Sequence, residues 1–308
     1  MACGKKILIT GGAGFIGSNT VDLLIEKGFD VCIVDNLSSG KSENINPGAR
    51  FHDADVSEPG LEKIFMNEKP DVVMHLAAQI SLRKSFEDPV NDAKQNILGT
   101  MNVLLASVAC GARRIVYSST AAVYGEPVRL PVSEMHPVNP QSPYGLDKYA
   151  AERYIEMFGR IHGMEYMILR YSNVYGPRQD PLGEAGVISI FINSLLSGKQ
   201  PLIFGDGGQT RDFVFVGDIA SANMAAAKSS SSGIYNVGTG KETSINELLR
   251  TISNLTGSAV EPLHAEALKE VRRMSFDFSK FRKDTGWEPR ASLESGLEHT
   301  IGYFRKNM

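Results

Sequence analysis

The sequence predicts an α/β protein: a parallel, doubly wound sheet followed by a second, smaller α/β unit that holds substrate. Three observations predict it. Short apolar runs alternate with amphipathic stretches over the first part of the chain, the signature of strands joined by crossover helices. A glycine-rich turn lies directly between the first such run and the first amphipathic stretch. Beyond about residue 172 the texture changes to loop-rich segments with helices between them. With 308 residues, 42% hydrophobic and 22% charged, the chain can bury a large core in one large domain or two moderate ones.

Taken in order, "KKILIT" is the first strand, "GGAGFIGSNTVDLLIEKG" a turn and helix, and "VCIVD" the second strand. "DVVMHLAA" (71–78) reads as a buried strand and "NILGTMNVLLASVACG" (96–111) as a helix closed by Gly111. "RRIVYSST" (113–120) and "YMILRYSNVYG" (166–176) are further strands. The stretches 176–186 and 204–213 are loops, with a helix, "VISIFINSLLSGK", between them. "DIASANMAAAK" is a later helix with Asp218 as its expected N-cap, and "INELLRTISNLTG" another. "KSSSSG" (228–233) is the one low-complexity patch and reads as a surface loop. The expected division is 1–172 and 173–308, the chain crossing back to the sheet around 212–240 at "IYNVGTG".

Composition narrows the function. A net charge of −3 gives no electrostatic reason to expect nucleic acid or an anionic membrane as partner. Cys3, Cys32 and Cys110 are an odd set without CxxC spacing, read as reduced thiols of a cytoplasmic protein. The six histidines show no HxxxH or HExxH, so no metal is expected. No run reaches membrane-spanning length, and "ILIT" is too short for a signal-peptide core.

The glycines Gly11, Gly14 and Gly17 stand between strand and helix. The first permits the tight turn, the second lets backbone approach a pyrophosphate, and the third lets helix pack on strand. The helix N-terminus supplies aligned N–H groups for the anion. Asp35 ends the second strand, near the distance at which an acid meets the adenosine ribose. A carboxylate there accepts from a 2′-hydroxyl and repels a 2′-phosphate, which favours NAD over NADP in a dinucleotide-binding (Rossmann) arrangement. The alternative is a glycine turn without a ligand; the agreement of turn, helix and acid weighs against it.

"SPYGLDKYAAE" (142–152) sets Tyr144 four residues before Lys148. Spacing alone proves nothing, since Tyr149 and Arg153 stand in the same relation, as do Tyr166 and Arg170. A tyrosine that works as a base near neutrality must lose roughly three units from its ordinary pKa of ~10, about 4 kcal/mol. Lys148, one helical turn away, and an oxidised nicotinamide are the expected sources. Tyr144 also opens a helix after a strand whose C-terminal end carries Ser118, Ser119 and Thr120, at the sheet edge where ligands sit. The competing reading is a helix start capped by Ser142 with Tyr144 packed on the sheet. Joined to the cofactor turn, the pair reads as catalytic, with a nearby hydroxyl to share its proton.

Nearly end to end, the chain resembles the extended short-chain dehydrogenase/reductase superfamily, most closely its UDP-glucose 4-epimerase branch. The likeness rests on "TGGAGFIGSN", "VDNLSSGK", "HLAAQ", "NILGT", "SSTAAVYGE", "PQSPYGLDKYAAE", "LRYSNVYGPRQDP", "GDGGQTRDFVFVGD" and "YNVGTG". The resemblance implies Tyr144 as acid/base, Lys148 as its partner on the nicotinamide ribose and Thr120 as the assisting hydroxyl. It implies further NAD contacts from Phe15, Ile16, Asn36, Asp55, Val56, the 76–79 turn (Leu76, Ala77, Ala78, Gln79), Asn96, Ser118, Tyr171 and Val174. Asp55 has a plainer alternative as a strand-end turn residue.

Relatives that dehydrate carry an Asp-Glu pair just after the position of Thr120, and those that decarboxylate carry a Glu at the second of these places. Here Ala121 and Ala122 stand there, and alanine can move no proton. Oxidation and reduction of one sugar carbon remain, which suits a 4-epimerase of a UDP-sugar, UDP-galactose and UDP-glucose first. UDP-N-acetylglucosamine and UDP-glucuronate are alternatives, the latter with Arg83 as a candidate cation. The resemblance puts Asn173 and Arg211 at the diphosphate and Leu202 and Phe204 at uracil, with Val187 a weaker candidate. Arg211 could instead pair with Asp212 or another acid, and Leu202 and Phe204 could be plain core strand. Where the branch has Arg-Pro-Gly-Asp, this chain has Ala267, Leu268, Lys269 and Glu270. Arg272 or Arg273 are the candidates to replace the missing arginine, and Met274 falls where the branch gates the sugar's C2 substituent. The resemblance also implies a homodimer through a four-helix bundle formed by helices near 96–110 and 146–162.

Overall fold

The computed structural model describes residues 5–181, 186–268 and 270–307. Cys3 and Lys269 lie outside the described residues, as do positions 182–185 of the 176–186 loop. The first half alternates as the sequence predicts: β1 (Lys6–Thr10), α1 (Phe15–Glu26), β2 (Asp30–Asp35), β3 (Arg50–Asp53), α2 (Leu61–Glu68), β4 (Val72–His75). Short helices α3 (Leu82–Glu87) and α4 (Pro89–Ala93) follow, then α5 (Gly99–Cys110), β5 (Arg114–Thr120), α6 (Pro143–His162) and β6 (Glu165–Tyr171). The rest runs β7 (Asn173–Tyr175), α7 (Val187–Leu196), β8 (Leu202–Phe204), β9 (Thr210–Arg211), β10 (Phe213–Phe215), α8 (Val216–Lys228) and β11 (Gly233–Val237). It ends with β12 (Thr243–Ser244), α9 (Ile245–Thr256), β13 (Leu263–Ala265), α10 (Ser279–Thr285) and α11 (Leu293–Asn307).

Seven parallel strands form one sheet in the order β11-β6-β5-β4-β1-β2-β3. The order reverses beside β1, and the crevice above the β1 and β4 termini is where such sheets take ligands. Strand alternation builds a core on each face. Ile7 and Ile9 of β1 and Val31 and Ile33 of β2 join one cluster with α1 and α8 residues. Leu8, Cys32 and Val34 point the other way, into a cluster with residues of α2, α5 and α6. Burial on both faces explains why these strands read as unbroken apolar runs.

The chain leaves the sheet after β6 and restarts one residue later, beyond Ser172, as β7, which pairs with β10 instead. It returns as β11 beside β6. The excursion and the C-terminal helices carry their own core, centred on Phe191, Ile192, Leu248, Ile252 and Leu297. The expected strand 166–176 is therefore two strands in two sheets, broken at Ser172.

Local chemistry sets the helix ends. Ser142 Oγ accepts from Gly145 N at 3.1 Å and Pro143 occupies the first turn, so α6 starts where its tyrosine is needed. Gly111 closes α5 at φ 75°, as expected. Asp218 is not the N-cap of α8, which Phe215 occupies; it lies in the first turn and accepts from Arg290 N and Ala291 N, pinning the segment before α11. The expected helix from 96 begins as a π turn (Lys94–Leu98). Among the described residues no helix is long and apolar enough to cross a membrane. The ligand atoms of Cys32, His52 and Glu68 lie within 4.8 Å of one another. Lys6, Arg50 and His52 already occupy the Glu68 carboxylate, and burial pushes the Cys32 thiol up to about 12, so the group is an ion-pair cluster beneath β2.

Candidate active site

The crevice at the C-terminal edge of the sheet gathers most of the residues singled out from the sequence. Gly11, Gly14, Phe15, Ile16, Gly17, Asp35, Asn36, Asp55, Val56, Leu76, Ala77, Ala78, Ser118, Thr120, Tyr144, Lys148, Tyr171 and Val174 all line one cleft. At Gly11, with φ 73°, a Cβ would sit 2.6 Å from Ala77 N; at Gly17 it would sit 2.0 Å from Gly11 O. At Gly14 only Gly11 O is near, so the missing side chain leaves backbone open to the cleft.

Asp35 is 7% exposed, and its two oxygens accept from Ala13 N and Leu37 N, both at 2.9 Å. Those bonds aim the carboxylate from the end of β2 into the cleft. Asn36 donates to Asp55 at 2.9 Å, and Asp55 also accepts from Ser57. Burial works against the Asp55 charge, but the hydrogen bonds from Ser57, Asn36 and Gln95 outweigh it and hold the carboxyl below its usual range. Thr10 Oγ1 bonds His75 at 2.7 Å and receives Ala77 N, which fixes the small-residue turn. Burial, with help from the Lys148 charge, pulls His75 down to about 3, so it is neutral.

Gln79 and Asn96 do not line the cleft. Gln79 N donates to Asn96 Oδ1 and Asn96 Nδ2 to Gln79 O, both at 3.0 Å. Their place is behind the 76–79 turn, which they brace. The π turn aims Asn96 there, a common use of such turns near functional sites.

Tyr144 stands in the first turn of α6 and lines the cleft with Thr120, which ends β5. The expected effect of Lys148 on it needs correction. Burial pushes the Tyr144 phenol up to about 12; the Thr120 hydroxyl lowers it and the Asp92 carboxylate raises it further. The Lys148 ammonium lies 4.3 Å from the Tyr117 ring centroid, over its face, and burial pulls it down to about 7. Glu152 and Asp92 push it back up. Protein groups alone therefore keep the phenol neutral. Of the two chance pairs, Arg153 stacks over Tyr149 at 5.0 Å, while Arg170 serves Glu152. Arg170 Nε and Nη2 reach the two Glu152 oxygens at 2.9 and 2.6 Å, and Ser119 Oγ donates to the same carboxylate at 2.5 Å. All three are buried, and they bolt α6 to β5 and β6.

Several cleft residues escaped sequence reasoning, two of them with unpartnered polar atoms. Ser172 and Gln179 line the cleft, and Ser172 Oγ and Gln179 Oε1 are buried without a protein partner. Such orphaned atoms, with the bare Gly14 backbone, suit a ligand rich in hydroxyls and phosphate oxygens. Ser38 and Ser39 also line it and were missed, although their place in "VDNLSSGK" was a signal that could have found them.

Of the residues expected at substrate, Thr120 and Tyr144 line that cleft and the others lie outside it. Asn173 is exposed at the start of β7. Val187 opens α7 and packs on the second core. Leu202 and Phe204, 42% and 38% exposed, share one side of β8, so they are not core strand. Arg211 Nη2 meets Glu270 at 2.5 Å; Asp212 instead accepts from Thr239, Gly240 and Phe276. Arg272 binds Asp206 and Arg273 binds Glu242. Met274 is 3% exposed and packs with Val123, Tyr124, Val132 and Phe276. Arg83 is a surface residue of α3 paired with Glu87, outside the cleft.

Comparison with known proteins agrees with this geometry. Residues 7–238 match the model of the NAD dependent epimerase/dehydratase family. A putative UDP-glucose 4-epimerase of Methanocaldococcus jannaschii is 50% identical over 303 residues, covering 98% of this chain and 99% of the relative. A structure of UDP-glucose 4-epimerase with UDP-glucose from Thermotoga maritima superposes with TM-score 0.96 at 46% identity, covering 98% and 99% of the two chains. A UDP-N-acetylglucosamine 4-epimerase of Methanobrevibacter ruminantium, in complex with UDP-N-acetylmuramic acid, superposes with TM-score 0.95 at 36% identity over 99% of both.

Proposed function

The chain belongs to the NAD-dependent epimerase/dehydratase family, and we propose that it is an NAD-dependent isomerase inverting C4 of a UDP-hexose, with UDP-galactose and UDP-glucose as the substrate pair. One observation carries the reading. Tyr144 and Thr120 line the same cleft as the glycine turn, and the two residues after Thr120 are Ala121 and Ala122. The cleft offers a proton carrier for one hydroxyl and no group there for elimination.

NAD supplies a reversible hydride acceptor and, when oxidised, a positive charge that favours the phenolate. Gly11, Gly14 and Gly17 with the α1 N-terminus take its pyrophosphate, and Asp35 its adenosine ribose. Phe15, Ile16, Asn36, Asp55 and Val56 complete that side; Leu76, Ala77, Ala78, Ser118, Tyr171 and Val174 flank the nicotinamide side. Gln79 and Asn96 act through the turn they brace. Tyr144 takes the proton from the C4 hydroxyl and gives it back, Thr120 sharing its hydrogen bond. Lys148 holds its buried charge beside the pair.

Inversion requires the oxidised sugar to turn over while its nucleotide stays held. Exposed Leu202 and Phe204 suit a uracil face, and Asn173, Arg211 and Arg272 suit the diphosphate once their present partners are displaced; Val187 flanks this region. We assign nucleotide-sugar binding to 173–308 apart from the return to the sheet within 212–240, and NAD binding to 1–172. Exposed Leu98, Leu105, Leu146 and Ile161, on or beside α5 and α6, favour a homodimer through a four-helix bundle. The free thiols Cys32 and Cys110 fit a cytoplasmic enzyme.

A second reading, action on UDP-N-acetylglucosamine, is supported by Met274, whose side chain is buried among Val123, Tyr124, Val132 and Phe276 at the position where the resemblance expects a gate on the C2 substituent. The test is purified protein with UDP-galactose, products resolved by chromatography, beside Tyr144→Phe. Production of UDP-glucose by the parent and none by the variant is expected. No turnover of UDP-galactose, with turnover of the N-acetyl sugar, selects the second reading; turnover by Tyr144→Phe removes the tyrosine from both.

A further inference from the structure

Behind the catalytic helix lies a pair of acids that the reaction described above does not use. Asp92, on α4, is 1% exposed, and Asp147, on α6, is 7% exposed. Asp92 Oδ1 accepts from Gln79 Nε2 at 2.5 Å and from Asn96 Nδ2 at 3.2 Å. Asp92 Oδ2 and Asp147 Oδ2 are both buried and neither finds a donor among the surrounding groups. The helices that carry them, α4 and α6, pack against each other. Two buried carboxyls on packed helices, each with an oxygen that finds no donor, favour sharing one proton.

Their placement gives the bridge a role. Asp147 sits between Tyr144 and Lys148 on α6, and Asp92 holds Gln79 and Asn96, which brace the cofactor turn. We propose that Asp92 and Asp147 share one proton as a positioning pair, which ties the catalytic helix to the cofactor turn and keeps one negative charge beside Lys148. The pair acts through Tyr144 and Lys148 and touches neither substrate nor cofactor. This inference rests on the reading of Tyr144 as acid/base.

The surrounding charges support it. The groups facing the pair from α6 are Tyr144, Lys148 and Glu152, the last neutralised by Arg170. From the π turn comes Lys94, engaged by exposed Glu58; from α3 come exposed Arg83, Lys84 and Glu87; Asp88 caps α4 at the surface. His75 and Tyr117 behind Lys148 are buried. None of these gives the pair a buried counter-charge other than Lys148. Burial, then the hydrogen bond and charge of Asp92, push the Asp147 carboxyl up to about 7, so the shared proton leaves near neutrality.

The experiment uses NAD-loaded parent, Asp147→Asn, Asp92→Asn and Asp147→Ala, each protein carrying carbon-13 in its aspartate carboxyls. Carboxyl chemical shifts and kcat are followed against pH. One aspartate of the parent is expected to titrate near neutrality, and that titration is expected to vanish in both Asn variants together with the matching inflection in kcat. Asp147→Asn, whose amide can still donate to Asp92, is expected to keep a higher kcat than Asp147→Ala, with KM alike in the two. A parent without a near-neutral carboxyl overturns the proposal, as does an inflection that survives in either Asn variant. Should one variant fail to fold, the parent titration and the other variant decide. A near-neutral carboxyl in a parent that turns over no UDP-sugar sinks the functional reading instead, and leaves the shared proton standing.

Discussion

Glu152→Gln tests the bolt between α6 and the sheet. The carboxylate receives Arg170 at 2.9 and 2.6 Å and Ser119 at 2.5 Å, and neither Glu152 nor Arg170 is more than 2% exposed. Arg170 Nη1 already lacks a partner and the guanidinium otherwise only rests over the Tyr124 ring, at 4.7 Å, so its charge is balanced by this one carboxylate. The amide keeps one acceptor but turns a donor toward a donor and strands a buried cation. Breaking such a pair from one side costs roughly 3–5 kcal/mol. At roughly 2 cal/mol/K per residue, a 308-residue chain has an unfolding entropy of about 0.65 kcal/mol/K, which places the fall in Tm at roughly 5–8 °C. A second effect separates this from a generic packing defect. Glu152 is the larger of the two charges that push Lys148 back up against burial. Without it the ammonium loses its proton at lower pH, so the alkaline limb of kcat moves toward acid. Scanning calorimetry gives the first number and a pH series of initial rates the second. A Tm within about 2 °C of the parent, or an unmoved alkaline limb, would refute the reasoning.

Gly17→Ala places a methyl 2.0 Å from Gly11 O, and backbone there cannot yield without opening the turn, so NAD affinity measured by titration calorimetry falls roughly tenfold or more, about 1.4 kcal/mol. Arg211→Ala raises the KM for the UDP-sugar about tenfold in steady-state assays while kcat changes far less, as expected of a group that binds without reacting. Asp147 makes stability depend on pH with a known sign: its folded pKa is raised to about 7, so its stabilisation is full below the ordinary carboxylate range and is lost as pH climbs through about 7. Denaturant melts of cofactor-free protein between acid and neutral pH show that decline, and Asp147→Asn flattens it.

The sheet and the cofactor turn were legible because their signals are local. Apolar runs, Gly11, Gly14 and Gly17, and Asp35 lie within thirty residues of sequence, and each states its own geometry. What was hidden depends on distant parts of the chain. β8 has three residues, and its partner β13 comes some sixty residues later, so the exposure of Leu202 and Phe204 had no sequence signal. Arg211 meets Glu270, and the helices of Asp92 and Asp147 pack together, only because elements distant in sequence come into contact. The π turn, too, changes which face Asn96 presents without any change of composition. The spacing of Tyr144 and Lys148 was read correctly as sharing a helix face. Their electrostatics was not, because burial and the Tyr117 ring are invisible in a pattern of four.

Ser172 alone separates β6, which ends in the cleft at Tyr171, from β7, which pairs with β10 in a second sheet. Such a joint has no slack. A shift of Asn173 is handed to Tyr171 across one intervening residue, so the two sheets keep a common registry. Residues beyond that joint can therefore be exchanged without moving the end of β6 within the cleft.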